Sequence, residues 1–197
     1  MTESQIKPYR IVVLGDSGVG KTKSILQYCG KPQTGTTTSI SVDYYSKEVI
    51  MDFQQIRLHL WDTPGQENFR TVSNLVAREA RGIALFFDIT RRDSFTNLEG
   101  WLSVLQNKIL EYPAETPIVI FGNKCDLCDL RTVSEEEARK FATQHNCPYF
   151  ETSGLTGENL DEAFSTILQQ ILKLHGIWPE PTQKPTPEPY PKPRKCC

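Results

Sequence analysis

Residues 15–22, Gly15-Asp16-Ser17-Gly18-Val19-Gly20-Lys21-Thr22, have the spacing G-x-x-x-x-G-K-[ST]. Each residue type there suits a polyphosphate. The glycines let the backbone wrap an anion, and successive N–H groups at a helix start donate to its oxygens. Lys21 brings a positive charge to the second and third phosphates, and the Thr22 hydroxyl is a hard oxygen ligand of the kind Mg²⁺ takes. A glycine-rich turn with no ligand is the competing reading. The apolar run before the motif and the helical pattern after it weigh against that.

Downstream, an apolar run ends in Asp62-Thr63-Pro64-Gly65-Gln66-Glu67. An Asp at the tip of a neighbouring strand reaches a Mg²⁺ shell, normally through water. Gly65 offers a backbone N–H to a terminal phosphate. Gln66 is both donor and acceptor, so it can orient an attacking water. Alone, D-x-x-G is a weak turn signal; at a strand end behind a phosphate loop it becomes strong.

A third cluster, Asn123-Lys124-Cys125-Asp126, also follows an apolar run. A carboxylate at Asp126 accepts from both the N1–H and the 2-amino group of guanine. Adenine lacks that pair of donors, so the charge would go unpaired against it. The Lys124 stem can lie along the base. By itself this is a solvated loop. Behind the other two motifs it is a purine reader, and a P-loop ATPase or kinase becomes the weaker alternative.

These groups need a scaffold. Residues 10–14, 56–61, 83–87 and 118–121 are short apolar runs that read as strands, and 44–53 is a weaker alternating one. A helix is expected after the phosphate loop, over 21–29. Another begins at an Asp93 or Ser94 cap and runs to about residue 111. Ser134 with Glu137 matches a capping box opening a helix to about His145. Leu160, Ala163, Phe164, Ile167, Ile171 and Leu174 mark the last. Such alternation predicts a mainly parallel sheet covered on both faces, with ligands at the carboxyl ends of its strands.

The chain has 197 residues, a formal net charge of −2, 38% hydrophobic and 23% charged residues. That fits one globular domain and shows no basic excess for nucleic acid. No apolar run approaches a bilayer span, and the first residues lack a signal peptide's blocks, so the cytosol is the expected home. Seven of the 13 prolines fall between Pro179 and Pro193, where the chain is held extended. The expected division is a domain over 1–176 and a tail over 177–197. Cys125-x-x-Cys128 with His145 and Cys147 admits a zinc reading, but reduced, half-buried thiols are the better one. The final Cys196-Cys197 does not fit C-a-a-X.

The sequence resembles the Rab family of small GTPases within the Ras superfamily, over about residues 8–175. The resemblance rests on Ile40-Ser-Val-Asp-Tyr44, on 60–67 (LWDTPGQE), 85–90 (LFFDIT) and 122–127 (GNKCDL), and on Glu151-Thr-Ser153-Gly154-Leu155. It implies the α/β P-loop NTPase fold: a six-stranded mainly parallel sheet, one strand antiparallel, with five helices on both faces. It implies GTP contacts at Gly15, Ser17, Gly18, Val19, Gly20, Lys21, Thr22, Lys23, Ser39, Gly65, Asn123, Lys124, Asp126, Ser153, Gly154 and Leu155. The last loop offers a backbone N–H to the guanine O6. Mg²⁺ is expected on Thr22, Ser39 and Asp62, with Thr38 the rival to Ser39, and catalysis on Gln66 and Lys21. Switch I spans about 33–44 and switch II about 62–78, both released on hydrolysis. The effector surface is Ile40, Val42, Tyr44, Trp61, Phe69 and Val76.

The family pattern further implies geranylgeranyl groups on Cys196 and Cys197, anchoring the protein to the cytosolic face of an endomembrane or the plasma membrane. It implies GTP and GDP as ligands. The implied protein partners are an exchange factor, a GTPase-activating protein, a prenyl-binding escort (GDI) and effectors. The expected function is a membrane-anchored GTP/GDP switch in vesicle traffic. Some positions depart from the pattern. Pro64 stands where Ala is usual, Gln33 where an aromatic covers the base, Leu155 where a Lys does, and Val76-Ala77 where aromatics do. These motivate a second reading, a nucleotide-binding scaffold with little or no hydrolysis. They also predict fast nucleotide release, with Leu155 and Tyr28 as substitute cover.

Overall fold

The computed structural model describes residues 8–32, 43–51, 53–64, 80–108 and 116–175. Gln33, Thr38, Ser39, Ile40, Val42, Gly65, Gln66, Phe69, Val76, Ala77, the tail, Cys196 and Cys197 lie outside the described residues. So does the far end of the helix expected to reach residue 111.

The apolar runs become β1 (Tyr9–Gly15), β3 (Gln54–Asp62), β4 (Gly82–Asp88) and β5 (Ile118–Asn123), and the alternating run becomes β2 (Asp43–Met51). A sixth strand, β6 (Tyr149–Thr152), completes a single sheet in the order β2-β3-β1-β4-β5-β6. Among the described strands only β2 runs antiparallel to its neighbour. β6 gave no apolar run because it is short and carries Glu151. That carboxylate receives a two-pronged hydrogen bond from Arg131, at 2.6 and 2.7 Å.

The described helices are α1 (Lys21–Tyr28), α2 (Arg92–Thr96), α3 (Leu98–Lys108), α4 (Glu135–Gln144) and α5 (Leu160–His175). The helix expected from Asp93 or Ser94 is thus two helices, broken at Asn97. Neither proposed residue is its cap; extended Arg91 holds that position. The Ser94 hydroxyl instead accepts from the Asp88 N–H at 3.0 Å and donates to the Arg91 carbonyl at 2.7 Å. At α4, Ser134 does cap, its Oγ accepting from the Glu137 N–H at 3.2 Å. The reciprocal half of the box is diverted, because the Glu137 carboxylate pairs with Arg92 at 2.6 Å.

Strand residues alternate between two cores. Ile11, Val13, Leu58, Leu60, Ala84, Phe86, Val119 and Phe121 meet α1 and α5 on one face. Val12, Leu14, Ile83, Leu85, Phe87 and Ile120 meet α2, α3 and α4 on the other. This two-sided burial is why the strands read as continuous apolar runs. Gly82 lets α5 sit directly on β4: a Cβ there would lie 2.5 Å from Ile167 Cγ2 and 2.9 Å from Ile171 Cδ1.

The register brings chemistry to one rim. Val13 pairs with Asp62, Gly15 with Phe86, Asp88 with Asn123, and Asn123 with Thr152. The carboxyl ends of all five parallel strands therefore open on the same edge, which is where sheets of this kind take ligands.

Candidate functional site

At that rim β1 turns through Gly15 into α1. Gly15 has φ +133, and a Cβ on it would strike the Phe86 carbonyl of β4. Gly20, at φ +95, is the N-cap of α1, and a Cβ on it would strike the Asn123 amide. The loop is pinched between two neighbouring strands at the points where the motif has glycine. Val19 is fully buried beneath it, while Lys23 is exposed on α1.

Lys21 folds back over the loop. Its Nζ donates to the carbonyls of Gly15 and Asp16, both at 2.9 Å. Burial pushes its pKa down to about 8, against the upward pull of the Asp62 and Asp16 carboxylates and with a further downward push from Arg91. Asp16 is itself held by Asn97 Nδ2 at 2.7 Å and Trp101 Nε1 at 2.9 Å. That tie joins the phosphate loop to the junction of α2 and α3.

Thr22 and Asp62 come together as the motifs require. The Thr22 hydroxyl donates to Asp62 Oδ2 at 2.6 Å, and Asp62 is 1% exposed. A hydroxyl and a buried carboxylate at that separation are hard oxygen donors suited to Mg²⁺. Thr63 then ties the chain to β1, its hydroxyl donating to the Val13 carbonyl at 2.6 Å, and Pro64 is buried after it.

The base-reading cluster hangs from β5. Asn123 is its hub: Nδ2 donates to the Val19 carbonyl at 2.8 Å, and Oδ1 accepts from the Gly154 N–H at 3.1 Å. Thr152 and Ser24 hydroxyls also approach Oδ1, at 3.3 and 3.4 Å. One amide thus joins the phosphate loop, β6 and α1. Lys124 adopts a left-handed backbone, φ +68, and its Nζ pairs with Asp88 Oδ2 at 2.6 Å. Its stem passes the position of a Gly20 Cβ at 4.0 Å, so it spans from base reader to phosphate loop. Asp126 Oδ1 accepts from Ser153 Oγ at 2.5 Å. Ser153 Oγ in turn accepts from the N–H groups of Leu155 and Thr156, at 3.1 and 3.0 Å. Gly154 abuts α1, where a Cβ would lie 2.9 Å from the Ser24 nitrogen.

Some expectations change. Tyr28 cannot serve as base cover: it is 6% exposed, stacks on Phe164 at 4.4 Å, and lies beneath Lys47, whose Nζ is 3.4 Å from the ring centre. Leu155 is 55% exposed. Cys128 is exposed rather than half-buried, whereas Cys29, Cys125 and Cys147 are intermediate. Burial and Glu158 push the Cys125 thiol up to about 12, away from the thiolate that zinc needs. Of the effector surface, Tyr44 and Trp61 pair across β2 and β3 and stack at 5.9 Å, with Tyr44 59% exposed.

Sequence reasoning gave no role to Asp88, Thr152, Ser24 or Arg91. The signal for Asp88 was present, since a polar residue ending an apolar run lands on the rim. The others act through contacts distant in sequence.

The comparisons agree with this geometry. A family model described as the Ras family matches residues 10–173. Ras-related protein Rab-27B of Rattus norvegicus is 40% identical over 188 residues, covering 89% of this chain and 85% of that protein. The Homo sapiens Rab-27B has the same identity and coverage. Ras-related protein Rab-27A of Sus scrofa is 42% identical over 175 residues, covering 83% of this chain and 78% of its own.

Proposed function

We infer the function from the premise that this chain belongs to the Rab branch of the Ras family of small GTPases. It is a GTP-hydrolysing GTP/GDP switch of vesicle traffic. The kinship disfavours the scaffold reading raised by Pro64, Gln33 and Leu155. The observation that carries the site assignment is the Asn123 amide, which binds the phosphate loop to the base-reading loops in one framework.

In this reading the loop N–H groups and Lys21 hold the phosphates, and Asp126, fixed by Ser153, reads guanine. Thr22, Ser39 and Asp62 would hold Mg²⁺, which would screen the phosphate charge. Gly65 and Gln66 complete the site, Gln66 orienting water against the terminal phosphate. Gln66→Leu keeps the size of the side chain and removes the amide. Single-turnover hydrolysis of GTP should fall on the order of tenfold or more, with GTP affinity unchanged. Hydrolysis at the parent rate would show Gln66 to be idle.

The domain is assigned to 1–176 and the tail to 177–197, because seven of the 13 prolines crowd between Pro179 and Pro193. No helix among the described residues is long and apolar enough to cross a membrane. Attachment to a cytosolic membrane face is assigned to prenyl groups on Cys196 and Cys197, aided by Lys192, Arg194 and Lys195. Two chains hold where one is reversible. Changing both cysteines to Ser should move the protein from the membrane pellet to the supernatant on fractionation. A variant still in the pellet would point to another anchor. The exchange factor, activating protein, GDI-type escort and effectors belong to the same reading. Tyr44 and Trp61 offer the described part of the effector face.

A further inference from the structure

Arg91 stands on a fixed mount beside the phosphate loop. Its N–H donates to the Asp88 carbonyl at 2.9 Å. Its own carbonyl accepts from the Ser94 N–H at 3.1 Å and from the Ser94 hydroxyl at 2.7 Å. With the backbone held on both sides, the half-buried side chain reaches across to the loop. Nη2 donates to the Ser17 carbonyl at 2.7 Å, and Nη1 lies 3.5 Å from where a Cβ on Gly18 would be.

The surrounding charges are spoken for. Asp88 pairs with Lys124, and Arg92, the next residue, pairs with Glu137. The Asp16 carboxylate is held by Asn97 and Trp101. Among the described residues no carboxylate pairs with Arg91, and one carbonyl takes one of its five N–H donors. A cation braced this carefully, with its charge unpaired, is unusual for a surface loop. It lies close enough to Lys21 for the two positive charges to oppose each other.

We propose that Arg91 is a positioning residue for the nucleotide's phosphates, bracing the Ser17–Gly18 arm of the loop and setting a second positive charge beside the phosphate tail. It acts through Ser17 and through its field, and so slows nucleotide release. The inference rests on the assignment of this loop as the GTP site. The effect should grow with the number of phosphates, because each adds negative charge near the guanidinium. It should weaken with salt wherever the charge is partly exposed.

The test uses the full-length protein and stopped-flow release of fluorescent GDP and GTP at low and high ionic strength. GMP affinity is measured by competition. Arg91→Gln removes the charge and leaves an amide on a shorter stem; Arg91→Lys keeps the charge and removes the fork. Arg91→Gln should release GDP about tenfold faster and GTP faster still, with GMP affinity scarcely changed. Its release should also depend less on salt, and Arg91→Lys should restore most of that salt dependence. Thermal melts identify a variant that has merely lost its fold.

Equal effects on GMP, GDP and GTP, or no recovery with Lys, would reduce Arg91 to a neutral brace and overturn the inference. Parent-like release from Arg91→Gln would overturn it while leaving the GTP site intact. A parent protein that binds neither GDP nor GTP would remove the site assignment and the inference with it.

Discussion

Asp126→Asn should weaken GTP binding by roughly 10²- to 10⁴-fold and improve the binding of xanthosine triphosphate. The carboxylate is already aimed: Ser153 Oγ donates to Oδ1 at 2.5 Å, and Ser153 is fixed in turn by two backbone N–H groups. Guanine would give this carboxylate two charge-assisted hydrogen bonds of ~1.5–3 kcal/mol each. Their joint loss sets the stated range. The amide that replaces the carboxylate also turns N–H donors toward guanine's donors. Xanthine has a carbonyl at the 2-position, so the same amide becomes a partner for it. Competition against a labelled GDP measures both changes, with ATP as the control. Parent-like GTP affinity in the variant would show that Asp126 does not read the base.

Lys21→Ala should lower GDP and GTP affinity by roughly 10²- to 10⁴-fold, from the ~3–5 kcal/mol typical of removing one partner of a buried charge pair. Lys21 is 6% exposed, and this burial desolvates its ammonium and lowers its pKa. A phosphate oxygen arriving there meets a cation with little water left to screen it. Without that cation the phosphate tail would face the Asp62 and Asp16 carboxylates. The variant also leaves the Gly15 and Asp16 carbonyls short of a donor, so a fold defect has to be separated from a binding defect. Lys21→Gln serves that purpose, since its amide can donate to a carbonyl but carries no charge. Both variants should purify largely free of nucleotide by chromatography of the extracted ligand. Either one retaining parent-level GDP would mean that Lys21 does not meet the phosphates.

The motif residues were legible because their chemistry demands fixed local spacing. Gly15, Gly20, Lys21 and Thr22 are set by one turn between β1 and α1. Asp62 and Asn123 are set by the ends of apolar runs. The work of Asn123 was not legible, because its partners Val19 and Gly154 are far away in sequence. The same holds for Asn97, whose amide bonds Asp16, 81 residues earlier in the chain. A helical pattern on either side of it gave no sign of a break. Tyr28 shows the opposite error. Its position near the loop suggested base cover, yet Phe164 of α5 and Lys47 of β2 claim both faces of the ring. β6 escaped because it is four residues long and Glu151 interrupts its β-favouring Tyr149, Phe150 and Thr152.

The Asn123 amide has a kinetic consequence. Its bonds to Val19 and Gly154 are made within the protein and owe nothing to the purine. The described side of the base site is therefore held by the protein's own contacts. Adenine and guanine nucleotides should enter at comparable speeds, because neither has to rebuild the opening. Discrimination should then fall on residence time, with ATP leaving sooner than a guanine nucleotide. A partner that needs to empty the site gains most by shortening that stay, and has little to gain by widening the way in.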